Sequence, residues 1–139
     1  MIAVRLAALL VGAALLNACT SSGPPRAAVD PGESAYARNC LACHQADGTG
    51  VRGFQPPLVG SPWVRGDAQA LATFVLTGGF DSGSRKDSAN ENVMPPFRQL
   101  DDATLAAILT YVRQAFGEHA AAVSAEDVAL ARSHLPSAP

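Results

Sequence analysis

Cys40-Leu41-Ala42-Cys43-His44 constrains what this chain can fold into more than any other stretch of it. Two thiols three residues apart, with an imidazole directly after the second, form the attachment pattern of a c-type haem. Each thiol can add across one vinyl group as a thioether, and the imidazole that follows is carried to the proximal side of the iron. A chain of this kind folds around a flat apolar cofactor as well as on itself. Three other readings use the same five residues. A thioredoxin-like pair would open a helix after a strand inside a βαβ pattern, yet Ser34 to Asn39 has no strand pattern. A structural zinc needs four ligands, with His119 and His134 in reserve. A Cys-x-x-Cys disulfide closes too short a loop to be a strong staple.

The two ends of the chain read differently from its middle. Arg5 precedes an apolar run from Leu6 to Leu16 that is too short to span a bilayer and reads as an export signal. The run ends in Leu15-Leu16-Asn17-Ala18-Cys19, which resembles the lipobox of bacterial lipoproteins, so Cys19 is expected to become a lipidated N-terminus. Lipidation also accounts for the odd thiol of the three. More than one acyl chain gives stable anchoring. Thr20 to Val29 is rich in Ser, Gly, Pro and Ala and reads as a linker. Ten Lys and Arg against twelve Asp and Glu leave a mild acidic balance, which argues against nucleic acid as a partner. From Cys19 onward only 24 residues are Leu, Ile, Val or Phe. That is a thin core, to which a buried haem would add apolar bulk.

Within the mature chain, Asp30 to Asn39 has an acidic start, a first-turn proline and good helix formers, and predicts a short helix leading into Cys40. Gln45 to Pro57 holds three glycines and two prolines and reads as a loop. Asp67 caps a helix in which Ala68, Leu71, Ala72 and Val75 recur at helical spacing until Gly78-Gly79. Phe80 to Phe97 is irregular and long enough to suggest function. Asp101 to Phe116 is the clearest helix, with Asp101 as cap, an apolar stripe of Leu105, Ile108, Leu109 and Val112, and Gly117 as its stop. Ser124 to Leu135 predicts a weaker accessory helix with Val128, Ala131 and Leu135 on one face.

Six-coordinate iron needs a second axial ligand, and Met94 is the only methionine besides the initiator. A lone methionine is usually core filler, but Met94 stands in an irregular loop before Pro95-Pro96-Phe97. A thioether is a soft, neutral donor that raises the reduction potential relative to two nitrogens. His119 and His134 are the rival ligands, both expected to face solvent.

The order of motifs resembles class I cytochromes c, particularly the small bacterial ones of respiratory chains and dehydrogenases. The resemblance covers about Asp30 to Gly117. It rests on Gly32-x-x-x-Tyr36-x-x-Asn39-Cys40-x-x-Cys43-His44, Gly48-x-Gly50, Pro56-Pro57-Leu58-x-Gly60-Ser61-Pro62-Trp63, Met94-Pro95-Pro96-Phe97, and Leu100-x-Asp102 through Thr110-Tyr111-Val112-Arg113. The resemblance implies that the first and last helices of the family fold cross closely at Gly32, with Tyr36 near Tyr111. It implies that the Pro57 carbonyl accepts a hydrogen bond from His44 Nδ1, that Leu58 packs on the ring, and that Trp63 is a structural anchor. Arg85 and Lys86 form an adjacent cationic pair, read as a solvated loop.

The expectation is therefore an all-α, small cytochrome c fold of three to four helices wrapped around one covalently attached haem c. Residues 1–18 would be a lipoprotein signal peptide, 19–29 a lipidated start and linker, 30–117 the cytochrome domain, and 118–139 a C-terminal extension. Cys40, Cys43, His44, Met94, Pro57 and Leu58 would bind the haem, with His44 and Met94 on the iron. The expected role is one-electron transfer in the periplasm between redox proteins, at a membrane, with no enzymatic step, small-molecule substrate or nucleic acid. The alternative is a fixed subunit of a larger dehydrogenase or oxidase.

Overall fold

The computed structural model describes residues 29–79 and 94–136. The expected export leader with Cys19 and the Arg85-Lys86 pair lie outside the described residues. Among the described residues the chain is helical, with α1 at Pro31–Asn39, α2 at Leu41–His44, α3 at Pro62–Arg65, α4 at Ala68–Thr77, α5 at Asp102–Phe116 and α6 at Ala125–Ser133. Four of these are the helices expected from the sequence. The two single-turn helices α2 and α3 were not, because four residues are too few to set up a 3.6-residue pattern.

Each longer helix begins where its capping side chain says it should. Asp30 accepts from the backbone N–H groups of Gly32 and Glu33, Asp67 from Ala70, and Asp101 from Thr104. Ser124 and Asp127 form a reciprocal capping box at the start of α6. Gly78 ends α4 in the left-handed conformation, where its N–H bonds back to the last turn.

Helix α5 is the common wall of two apolar clusters. Its Ile108, Val112 and Phe116 pack with Ala35 and Tyr36 of α1 and Val64 of α3. Its Leu105, Ala106 and Leu109 pack with Leu71, Ala72 and Leu76 of α4 and with Val123, Val128 and Ala131 of the C-terminal extension. Leu100 lies against both clusters. The extension is thus part of the core, with Val128 fully buried, and the expectation of an accessory helix understated its place.

The crossing of α1 and α5 matches the resemblance. A Cβ on Gly32 would run into the Ala107 carbonyl, so only glycine permits this approach. Tyr36 and Tyr111 meet with ring centroids 5.3 Å apart, and Phe116 completes an aromatic trio. Trp63 is half-buried and stacks on Phe74 at 4.7 Å, an anchoring contact between α3 and α4.

Arg113 is buried, which the sequence reading did not single out. Its Nε donates to the Ala121 carbonyl at 2.6 Å, and its Nη1 to the carbonyls of Gly66 and Val64 at 2.7 and 3.0 Å. A buried guanidinium is tolerated when its N–H groups are satisfied. Here one side chain ties α5, the end of α3 and the extension together.

Candidate haem-binding site

The i, i+3, i+4 spacing of Cys40, Cys43 and His44 puts all three on one face of a helical turn. The backbone closes that turn, with the N–H groups of Cys43 and His44 both donating to the Cys40 carbonyl, at 3.1 and 2.9 Å. Both thiols are free, Cys43 exposed and Cys40 half-buried. Burial, with Cys43 beside it, pushes the Cys40 thiol up to about 11. The expected pair is therefore present as two unbridged thiols one turn apart, with His44 next in the same turn.

The loop after the motif is held by its own backbone. Gln45 caps α2 at φ 64° and ψ 166°, a region that costs a residue with a side chain on the order of 1–3 kcal/mol. The Tyr36 hydroxyl secures it by donating to the Gln45 carbonyl at 2.6 Å. Beyond it, Gly50 N–H donates to the His44 carbonyl at 3.2 Å, and Leu58 N–H to the Gly48 carbonyl at 2.7 Å. Gly48 has positive φ and a Cβ there would strike the Phe116 ring, so the loop lies flat on α5.

His44 is the most informative side chain in this network. Burial lowers its pKa below the ordinary imidazole value, with the Pro56 carbonyl acting in the opposite direction. At neutral pH it is held in the uncharged form that a metal requires. Its Nδ1 is buried and makes no hydrogen bond, since the Pro56 carbonyl favours the charged ring without reaching hydrogen-bond geometry. An orphaned ring nitrogen is the kind of atom that a fixed metal-side orientation would pair. The carbonyl that acts on the ring belongs to Pro56, one residue before the Pro57 that the resemblance implies. Pro57 itself is exposed, and Leu58 is half-buried against the cluster of Tyr36, Val64 and Ile108.

Met94 stands on a different platform. Its carbonyl lies where a Cβ on Gly78 would be, so the chain from Met94 to Pro96 crosses the C-terminal end of α4 in close contact. Phe97 N–H then donates to the Val75 carbonyl at 3.1 Å. The Met94 side chain is half-buried. His119 and His134 are both exposed, as expected of residues outside the site.

The chemistry of these donors fits a haem. Three of the six large apolar side chains that stay exposed among the described residues, Leu41, Val51 and Phe54, belong to the motif or to the loop after it, and Val59 follows that loop. Among the described residues no three His, Cys, Asp or Glu side chains are gathered to hold a metal ion, so a zinc site lacks its donors. No strand precedes α2 among those residues, which removes the setting of a thioredoxin-like pair.

A small helical domain that presents Cys-x-x-Cys-His on one turn, closed by a crossing of its first helix with α5, is a class I c-type cytochrome. The chain belongs to the family described as cytochrome C oxidase, cbb3-type, subunit III, whose model matches residues 27–112. It is 36% identical over 100 residues to the cytochrome c subunit of a quinone alcohol dehydrogenase from Gluconobacter oxydans, covering 70% of this chain and 21% of that protein. It is 33% identical over 97 residues to the cbb3-type oxidase subunit CcoP of Azospirillum brasilense, covering 66% of this chain and 30% of that one. Cytochrome c-552 of Thermus thermophilus is 33% identical over 91 residues, which cover 63% of this chain and 69% of the relative. The chain thus spans less than a third of the dehydrogenase and oxidase subunits it matches.

Proposed function

We propose that this chain is a one-electron carrier with a single haem c, held through thioethers at Cys40 and Cys43 and through axial bonds from His44 and Met94. The observation that carries the reading is the joint placement of two free thiols and a half-buried imidazole, its pKa lowered by burial, on one helical turn. When bound, the haem supplies an iron couple that changes by one electron. The residues do the rest. Cys40 and Cys43 tether the ring, His44 presents a neutral nitrogen, and Met94 supplies a soft donor that favours the reduced iron. His44 and Met94 would both hold the iron, and the haem would then supply electron transfer without a substrate bond being made or broken.

Residues 1–18 act as an export signal, Cys19 carries the lipid, and 19–29 link it to a domain at 30–117 on the periplasmic side of a membrane. Among the described residues no helix is long and apolar enough to cross a bilayer. The partners are redox proteins that dock transiently, through an interface at the small end of the range for protein complexes. A second reading, favoured by the subunit names of the relatives, makes the same domain a fixed component of a dehydrogenase or oxidase complex. Stoichiometric co-purification with a partner enzyme distinguishes the two.

The central test is Met94→Ala in protein matured by a haem-attaching host. The haem should remain covalently bound by mass, while the sulfur-to-iron absorption of the ferric protein disappears. A variant that keeps that absorption removes Met94 from the iron.

A further inference from the structure

The stretch that follows Met94 is gripped from the far end of the chain. Arg132 on α6 donates from Nη1 to the Arg98 carbonyl at 2.9 Å, from Nη2 to the Leu100 carbonyl at 2.7 Å, and from Nε to the Asp102 carboxylate at 2.9 Å. Arg98 returns the contact, its Nη1 donating to the Pro136 carbonyl at 3.0 Å. A planar guanidinium is suited to such a grip because its donors sit in a fixed fork. The Arg132–Asp102 ion pair is about one-third exposed on each side, so it is worth little alone. The two carbonyl bonds are what hold the backbone of the strap.

The strap between Met94 and Leu100 has little slack. At one end the Phe97 N–H is bonded to Val75 and the Met94 carbonyl rests on Gly78. At the other end Arg132 holds residues 98 and 100. Between Met94 and Phe97 stand Pro95 and Pro96, whose rings fix φ. The grip itself is firmly based, since α6 is seated by Val128 and Ala131 in the core. Thr110 Oγ1 further pins the approach to α6, donating to the Val123 carbonyl at 3.1 Å and accepting from its N–H at 3.0 Å.

We propose that Arg132 is a positioning residue for Met94, and that the C-terminal extension buttresses the 94–100 strap so that the thioether stays on the iron. The proposal rests on Met94 being the axial ligand, as proposed above. Under this proposal the thioether leaves the iron together with a motion of the strap, and only the part of the Arg132 bonds lost in that motion opposes it.

The experiment uses the full-length ferric holoprotein and titrates it with imidazole, following loss of the sulfur-to-iron absorption as the added ligand displaces Met94. Arg132→Ala should raise the apparent imidazole affinity roughly ten-fold, the scale expected when about one charge-assisted hydrogen bond no longer opposes displacement. Arg132→Lys keeps a cation near Asp102 but not the two-carbonyl fork, and should shift affinity in the same direction by less. Val112→Ala opens a cavity where α1 packs on α5, away from α6, and should lower the unfolding midpoint comparably, yet leave imidazole affinity within about two-fold of the parent.

Parent-like imidazole affinity in both Arg132 variants overturns the proposal. So does a Val112→Ala shift as large as that of Arg132→Ala, because the effect would then be general loosening. If Arg132→Ala does not fold, Arg132→Lys decides. Met94→Ala serves as the separate control: if it loses the sulfur absorption while the Arg132 variants titrate like the parent, the ligand assignment stands and the buttress alone falls.

Discussion

The His44 side and the Met94 side of this molecule are built by opposite means. Around His44, bonds such as Gly50 to His44 and Leu58 to Gly48 join residues six and ten apart, and the Tyr36 hydroxyl reaches only nine residues to Gln45. Around Met94, the strap is held by Val75 behind it and by Arg132 and Pro136 ahead of it, across 32 to 38 residues in the Arg132–Leu100, Arg132–Arg98 and Arg98–Pro136 bonds. A locally closed loop loses less chain entropy on forming than one closed from afar. The His44 side is therefore expected to be the more persistent, and the Met94 side the one that yields when the core is weakened.

The largest effect should come from removing what both sides share. Cys40→Ala/Cys43→Ala protein should emerge without covalent haem by mass, and, given the thin core, without a sharp cooperative unfolding transition. A cooperative, exchange-protected apo domain would show that the two sides hold together without the cofactor.

A smaller effect tests the His44 side alone. Tyr36→Phe removes the hydroxyl that serves the Gln45 carbonyl and should cost about 1–2 kcal/mol in denaturant unfolding of the holoprotein. Its imidazole titration should match the parent, because the Met94 strap takes no support from that bond. An increase in imidazole affinity would mean that the two sides are coupled.

The smallest effect is expected from acid. Asp101 and Asp127 are held below the usual carboxylate range, Asp101 chiefly by the Thr104 N–H and hydroxyl, and Asp127 chiefly by the Ser124 hydroxyl and N–H. A depressed folded pKa contributes stability that is present above the unfolded value, near 3.9, and is lost as pH falls through the folded value. Asn still caps a helix but does not titrate in this range. Asp101→Asn/Asp127→Asn should therefore flatten the decline of unfolding free energy below about pH 4, and an unaltered slope would place the acid sensitivity elsewhere. Asp47, lowered by its bonds to Thr49 on the His44 side, is the next candidate.

The turn that joins Cys40, Cys43 and His44 was legible in the sequence, because the three side chains stand at a fixed local spacing. The longer helices were legible for the same reason, since Asp30, Asp67, Asp101 and Ser124 cap the turns that directly follow them. Pro56 was missed by one position. Two adjacent prolines carry the same local signal, and only the approach of a carbonyl to His44 separates them. Arg113 and Arg132 were missed although each left a trace. Arg113 continues the core series Leu105, Leu109 at four-residue steps, and Arg132 follows Val128 by four. A cation on a buried face asks for acceptors, but their identity is not a local property.

By itself, the order of residues determined which chemistry the chain can carry, since two thiols, an imidazole and a single late methionine leave few alternatives, and it determined where the four longer helices start. Only the tertiary structure decided that the C-terminal extension belongs to the core, which carbonyl faces His44, and what restrains the strap behind Met94. The physical reason is range. Caps, turns and attachment motifs are satisfied within a few residues, whereas a buried guanidinium chooses among carbonyls that become neighbours only when distant helices pack.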